Sequence, residues 1–516
     1  MYDDPEESYK RTVTVNILPD NTFREVFAFC LGDRTMDPIG HMNEWQRLVQ
    51  VCQRWRQIVL YDSPRSLDLH LHCVLEHPSF RESLSLWPDI PLTVDFDVPP
   101  DKFDDDNLIA ALEHPNRVHH LDLVISSWSS WLHEKMQVSF PALTHLELDG
   151  PRDPDHDDDD DDLFDISDHF LGNAAPSLQY LYLQGIVFQE LPKLLLSARD
   201  LVSLRLVDIP ALGCHHNRYY HYISPQSMVG VLAGLTRLRT FCIIFRIPHR
   251  EDSDRLDSDE RLERRRNSEA SMRTVLPALT YFEFDGESKY LEDLVARIDV
   301  PSVEDMKIDY FLPTSESPFE ARQLSQFIGR TANLELAQFR RAQVLFDVWY
   351  SRIKLDRPQG EHHQISFSLA VQILGLMGVP YLGRLVPCMA RVLGQLGQLT
   401  TLLSGVGHLS IRSRQHWDCD LNWLHNSELL PLLYLFPTVE EMHVSGALAE
   451  LIATTLEKTA EGRVIEVMPA LRSLWLHYGD KRPPFVVIGS IERFLSLRQL
   501  SDRPVTVRIM QDKAVG

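Results

Sequence analysis

The stretch PALTHLELDG, Pro141–Gly150, decides how the chain is read. Leu143, Leu146 and Leu148 form an L-x-x-L-x-L pattern behind a Pro-Ala lead-in. His145, Glu147 and Asp149 alternate with the leucines, the period-two signature of a half-buried strand. The pattern recurs at Val118-Leu121-Leu123, Leu178-Leu181-Leu183, Leu201-Leu204-Leu206, Leu238-Phe241-Ile243, Leu279-Phe282-Phe284 and Val303-Met306-Ile308. It returns at Val406-Leu409-Ile411, Val439-Met442-Val444 and Leu471-Leu474-Leu476. Pro141, Pro176, Pro277, Pro301, Pro437 and Pro469 each stand two residues ahead of a copy. Proline ends a preceding helix and sets the turn into the strand. Segments between copies, such as 190–201 and 291–298, read as helices.

One strand and one helix per unit is the leucine-rich-repeat signature, whose units stack into a horseshoe. Spacings of ~23 to ~41 residues exceed the usual ~20–29, so the array is irregular and carries inserted loops. An ordinary open α/β sheet is the alternative, but such a sheet does not need a proline before every strand. The register is open from 312 to 403, where Asn333-Leu334-x-Leu336 and Gln364-Ile365-Ser366-Phe367 are candidate strands. The apolar tract Leu369–Leu403 is broken by glycine, proline and arginine and falls short of the ~20 residues needed to cross a bilayer. It reads as buried core helices. Upstream, Leu67, Leu69 and Leu71 alternate with polar residues and read as a first strand.

At 516 residues the chain is too long for one compact core. A net charge of −23 opposes a nucleic-acid partner, whose phosphates repel such a surface. The acidic start MYDDPEESYK is not a signal peptide. Seven scattered cysteines fit a reducing interior, hence the cytoplasm, the nucleus or both. Asp153–Asp162 and the segment from His249 to Arg273 read as solvated loops. Arg264-Arg265-Arg266 is read as loop or exposed helix rather than as a nuclear signal.

Chemistry-bearing patterns are weak. Cys214-His215-His216 and His249 lack zinc spacing. Asp418-Cys419-Asp420 places carboxylates beside a thiol, which opposes its ionisation. No phosphate loop or nucleophile elbow is present. The expectation is a non-catalytic chain with no cofactor and no metal.

At the N-terminus, Leu18-Pro19 suits a helix start, because proline's missing N–H has no intrahelical partner there. Phe23, Val26, Phe27, Cys30 and Leu31 follow at helical spacing. After a polar loop, Trp45, Leu48, Val49, Cys52, Trp55, Ile58 and Val59 line a second helix, which Asp62-Ser63-Pro64 ends. About 45 residues cannot bury enough surface to stand alone, so this head leans on the downstream repeats or on a partner.

The order Leu18-Pro19, a helix ending in Val26-Phe27, then Leu48-x-x-Val51-Cys52-x-x-Trp55-x-x-Ile58 resembles an F-box. With the longer loop and Ser63-Pro64-Arg65, the chain looks like the F-box/leucine-rich-repeat proteins abundant in mushroom-forming fungi. The resemblance is close over the first ~65 residues and loose beyond. It implies an α/β chain with a tail at 1–12, an F-box at 13–66 and an irregular repeat solenoid at 67–516, with charged loops near 151–163 and 249–273.

It further implies a substrate-recognition subunit of a Skp–cullin–F-box ubiquitin ligase. Leu18, Pro19, Val26, Phe27, Leu48, Val51, Cys52, Trp55 and Ile58 would meet a Skp-type adaptor, and through it a cullin–RING ligase. The residue between the last two leucines of each copy points out of the sheet. Those positions are Asp122, Glu147, Tyr182, Arg205, Cys242, Glu283, Lys307, Ser410, His443 and Trp475. Tyr182 and Trp475 are expected anchors for a protein target. Asp122, Glu147, Glu283, Asp149 and Asp285 tilt the face acidic, towards a basic target segment. The competing view makes these ordinary solvated residues, with the target on a loop or at the C-terminal end. The alternative for the whole chain is a repeat scaffold without a ligase role, its helical head being a cap. No nucleic-acid or membrane partner is expected.

Overall fold

The computed structural model describes residues 18–31, 45–62, 67, 69–73, 80–96, 105–124, 130–150, 164–166, 169–188, 191–209, 223–246, 273–312, 321–347, 350–357, 365–373, 382–413, 426–445, 448–460, 467–477, 485–500 and 502–510. The 1–12 tail, the core of both charged inserts, Cys214-His215-His216, His249 and Asp418-Cys419-Asp420 lie outside them. The chain is α/β, with mostly parallel strands, and forms two compact units. One holds residues 1–148 and 169–178. The other holds 149–168 and 179–516. The helical head therefore shares a unit with the first strands.

In the first unit, helices Asp20–Leu31, Trp45–Val51 and Gln53–Gln57 precede β1 (Leu71–Cys73), β2 (Leu92–Phe96), β3 (Val118–Val124) and β4 (His145–Asp149). The strands lie in that order, and β1–β2 and β2–β3 pair in parallel. The first strand begins at Leu71, not Leu67. The carbonyl of His70 instead accepts a hydrogen bond from the Trp45 indole N–H at 3.0 Å, and Trp45 packs edge-on against Trp87. The expected continuous second helix breaks at Cys52, whose backbone is extended (φ −160°, ψ 168°). The Arg56 side chain donates to the Val49 carbonyl beside the break.

The second unit contains β5 (Phe164–Ile166), β6 (Tyr180–Gln184), β7 (Ile186–Phe188), β8 (Ser203–Ile209), β9 (Thr240–Phe245) and β10 (Thr274–Val275). Next come β11 (Tyr281–Glu287), β12 (Ile298–Asp299), β13 (Asp305–Leu312), β14 (Arg341–Phe346) and β15 (Tyr350–Asp356). The last are β16 (Ser366–Ile373), β17 (His408–Ser413), β18 (Glu441–Ser445), β19 (Ser473–His477) and β20 (Thr506–Met510). Twelve of them run side by side in the order β6-β8-β9-β11-β13-β16-β15-β14-β17-β18-β19-β20.

All ten copies of the L-x-x-L-x-L pattern carry their second and third apolar residues on a strand. The three apolar residues of each copy are buried, at no more than 3% exposure. The lead-in is a tight turn, with the first apolar N–H bonded three residues back. Leu143 to Phe140, Leu178 to Ala175, Leu279 to Leu276, Val303 to Val300 and Leu471 to Met468 all follow it. Proline then occupies the second turn position, where its fixed φ is already correct. Each turn also docks on its neighbour. The Arg239 carbonyl accepts from the N–H groups of Thr280 and Tyr281, and those of Gly407 and Glu440 accept in the same way. Arginines add to this: buried Arg498 donates to the Met468 and Leu471 carbonyls, as half-buried Arg330 does to Val295.

The stretch from 312 to 403 breaks the order. From β13 the chain skips two strand positions to β14, returns through antiparallel β15, and lays β16 beside β13 in parallel. Parallel pairing of β14 with β17 then resumes the series. The candidate strand at Asn333–Leu336 is helical (Ala332–Leu336), with Leu336 exposed. The true strand, β14, follows Phe339-x-x-Ala342-x-Val344, where alanine sits in a leucine position. Ser366-Phe367 does open a strand. The Leu369–Leu403 tract is part strand, through Ile373, and part helix, at Leu382–Gln395 and Gly397–Leu403. Among the described residues no helix is long and apolar enough to cross a membrane.

Candidate functional site

In the head, Phe23 and Phe27 face inward and meet Trp55 edge-on at 5.7 and 4.8 Å. Arg54 fastens the helix start. It donates to the Leu18 carbonyl and to Asp20, and its guanidinium lies 4.9 Å from the Phe23 ring centre. Outside this cluster the apolar stripe splits. Leu18 is 42% exposed, Val26 45%, Val51 58% and Phe29 88%. Pro19, Cys30 and Cys52 are exposed as well, and Leu48 and Trp55 are half-buried. Of the expected adaptor-site residues, Phe27 and Ile58 lie in the core, at 0% and 1% exposure. Phe29 was missed, because it sits off the stripe that helical spacing assigns to the interior.

In the second unit the outward positions line up. Strand pairing joins Tyr182, Arg205, Cys242, Glu283, Lys307, Ser368, Lys354, Gln343, Ser410, His443, Trp475 and Arg508 in one continuous row. It includes every outward residue expected between Tyr182 and Trp475, and adds three from the stretch whose register was open (Ser368, Lys354 and Gln343) and Arg508 on β20. Glu147, on β4 of the first unit, is half-buried, as is Asp122.

The face is not the acidic strip expected. Glu283 is buried, at 6% exposure, and forms an ion pair with Lys307. It also accepts from the Tyr281 hydroxyl at 2.7 Å and from the Cys242 thiol at 3.3 Å. Burial pushes its carboxyl up, but the Lys307 and Tyr281 hydrogen bonds outweigh this and leave it below the ordinary value. Burial and Glu283 together push the Cys242 thiol far up, so it is no nucleophile. On the next row Arg352 pairs with Asp309 at 2.8 Å. Asp285, the register partner of Asp309, has a buried Oδ1 without a hydrogen bond. Burial first, then Asp309, raises its carboxyl to about 7. Arginines and lysines alternate with these acids, so the face is mixed in sign.

The two aromatics expected as anchors are already engaged. The Tyr182 hydroxyl donates to Gln184. Trp475 stacks flat on His443 (5.3 Å, 8°), and the Arg508 guanidinium covers its ring at 4.6 Å. Around His443 lies a group that no local motif announced. Its Nε2 is 3.1 Å from Glu441 Oε1 and its Nδ1 is 3.2 Å from His477 Nε2, with the His408 ring centred 4.8 Å away.

No protein-family model and no curated protein matches this chain.

Proposed function

We propose that this chain is the substrate-recognition subunit of a Skp–cullin–F-box type ubiquitin ligase. Its head is an F-box that docks a Skp-type adaptor, and its strand–turn–helix units are leucine-rich repeats whose sheet face takes a protein target. The observation that carries the reading is the split stripe. A mere cap buries its apolar residues on the first repeat, whereas Leu18, Val26, Phe29 and Val51 stay in water. Burying one such side chain against a partner is worth roughly 1.5–3 kcal/mol. The chain then supplies proximity, holding a target near a transferring enzyme without catalytic groups of its own.

The cap reading keeps one observation in its favour. Trp45 ties the head to the His70 carbonyl and to Trp87, as a cap would be tied.

Two arms test the reading. Purified chain mixed with a Skp-type adaptor should form a complex that Val26→Asp with Val51→Asp disrupts. Cross-linking of cellular partners should recover a target that Trp475→Ala with Tyr182→Ala releases while the adaptor stays bound. A wild-type chain that does not bind the adaptor overturns the proposal.

A further inference from the structure

We propose that His408, Glu441 and His443 form a site for one divalent transition-metal ion of the zinc class. His408 and Glu441 are register partners on adjacent parallel strands, and His443 lies two residues beyond Glu441, so strand alternation sends it to the same face. One ligand-type atom from each lies within 4.8 Å of the others, the one such group of three among the described residues. Tetrahedral zinc holds nitrogen and oxygen ligands at about 2.0–2.2 Å, which sets two ligand atoms about 3.3–3.6 Å apart. The Nε2–Oε1 distance between His443 and Glu441 is 3.1 Å, so those two need to part by only a few tenths of an ångström. His408 must swing inward further to close the set.

The surroundings hold His443 ready. Its other ring nitrogen meets His477, the outer partner that ligating histidines need to fix tautomer and orientation. Its ring is pinned flat against Trp475. All three ligands stand on paired strands rather than on loops, which fixes a site more tightly. Two imidazoles and one carboxylate suit zinc and its first-row neighbours, whereas calcium and magnesium take oxygen ligands. Three protein donors leave a fourth position, open to water or to an incoming donor group. Arg341, paired with His408 in register, opposes a cation, but it is solvent-exposed and can turn away. Local spacing cannot reveal such a site, because His408 and Glu441 lie 33 residues apart.

The inference stands on this geometry and not on the ligase reading. Full-length chain is titrated with Zn2+ alone against a chromophoric chelator. We expect one equivalent that is lost in His408→Ala/His443→Ala, weakened at least tenfold in Glu441→Gln, and weakened with unchanged stoichiometry in His477→Ala. Circular dichroism melting confirms that each variant is folded. A control variant, C214S/H215A/H216A, should keep the equivalent. If wild type takes up no zinc, if the double variant binds as wild type does, or if the control alone loses the ion, the proposal is wrong.

Discussion

The head and the long sheet face both present outward-pointing residues, yet those residues are finished to different degrees. Leu18, Val26, Phe29 and Val51 leave 42%, 45%, 88% and 58% of their surface in water. On the sheet, Glu283 meets Lys307, Tyr281 and Cys242, Arg352 meets Asp309, and Trp475 lies between His443 and Arg508. A surface whose apolar groups lack neighbours gains free energy by acquiring them, and so is suited to a tight, constitutive partner. One whose polar groups already have partners must exchange bonds to bind, so it discriminates more than it attracts. That division suits an adaptor at one site and a selected target at the other.

The contrast is tested most severely within the head itself. Phe27→Ala should cost about 3–5 kcal/mol, the range for emptying a buried aromatic site, and should abolish protection of the head from hydrogen exchange. Phe29→Ala, two residues on, should change stability by no more than about 0.5 kcal/mol. Equal costs would mean that the inner and outer sides of the helix have been misassigned.

A smaller effect contrasts ion pairs between the two regions. Glu283→Ala should cost about 2–3 kcal/mol in urea unfolding, since it strands Lys307 and removes the acceptor of Tyr281. Asp20→Ala, which breaks the half-exposed pair with Arg54, should cost less than about 1 kcal/mol. A larger loss at Asp20 would reverse the ranking of the two surfaces.

The smallest effect is a pH dependence. The folded state raises Asp285 from its ordinary 3.8 to about 7, so it favours the protonated carboxyl. This contribution is complete below about pH 4 and is lost as pH rises through 7. Asp285→Asn should therefore be more stable than wild type at pH 8, by on the order of 2 kcal/mol, and nearly equal to it at pH 4. Thermal melts at both values check the sign, and a stabilisation confined to pH 4 would contradict the burial of that carboxyl.

The repeats were legible because each carries its own instructions. Proline marks the turn, leucines mark the inner face, and the residue between them marks the outer row from Tyr182 to Trp475. Legibility ended at β14–β16 for two physical reasons. Ala342 stands where the pattern wants a large apolar residue, and an antiparallel hairpin inserts strands out of chain order. Local periodicity carries no information about order. In the head, spacing placed Phe23 and Phe27 correctly inside, but it could not tell that Val26 and Cys30, on the same helical stripe, are exposed. The charge of the sheet face was misread because acids were counted without their partners. Lys307 pairs from the neighbouring strand and Arg352 from 43 residues beyond Asp309. The His408–Glu441–His443 group stayed hidden for the same reason.

Calorimetric titration of a Skp-type adaptor into the full chain, into Val26→Asp/Val51→Asp and into Trp475→Ala bears most squarely on the ligase reading. An F-box head should give a stoichiometric complex in the wild type and in Trp475→Ala, with affinity lowered at least a hundredfold by the paired aspartates. Equal binding by the aspartate variant, or no binding by the wild type, would refute that reading.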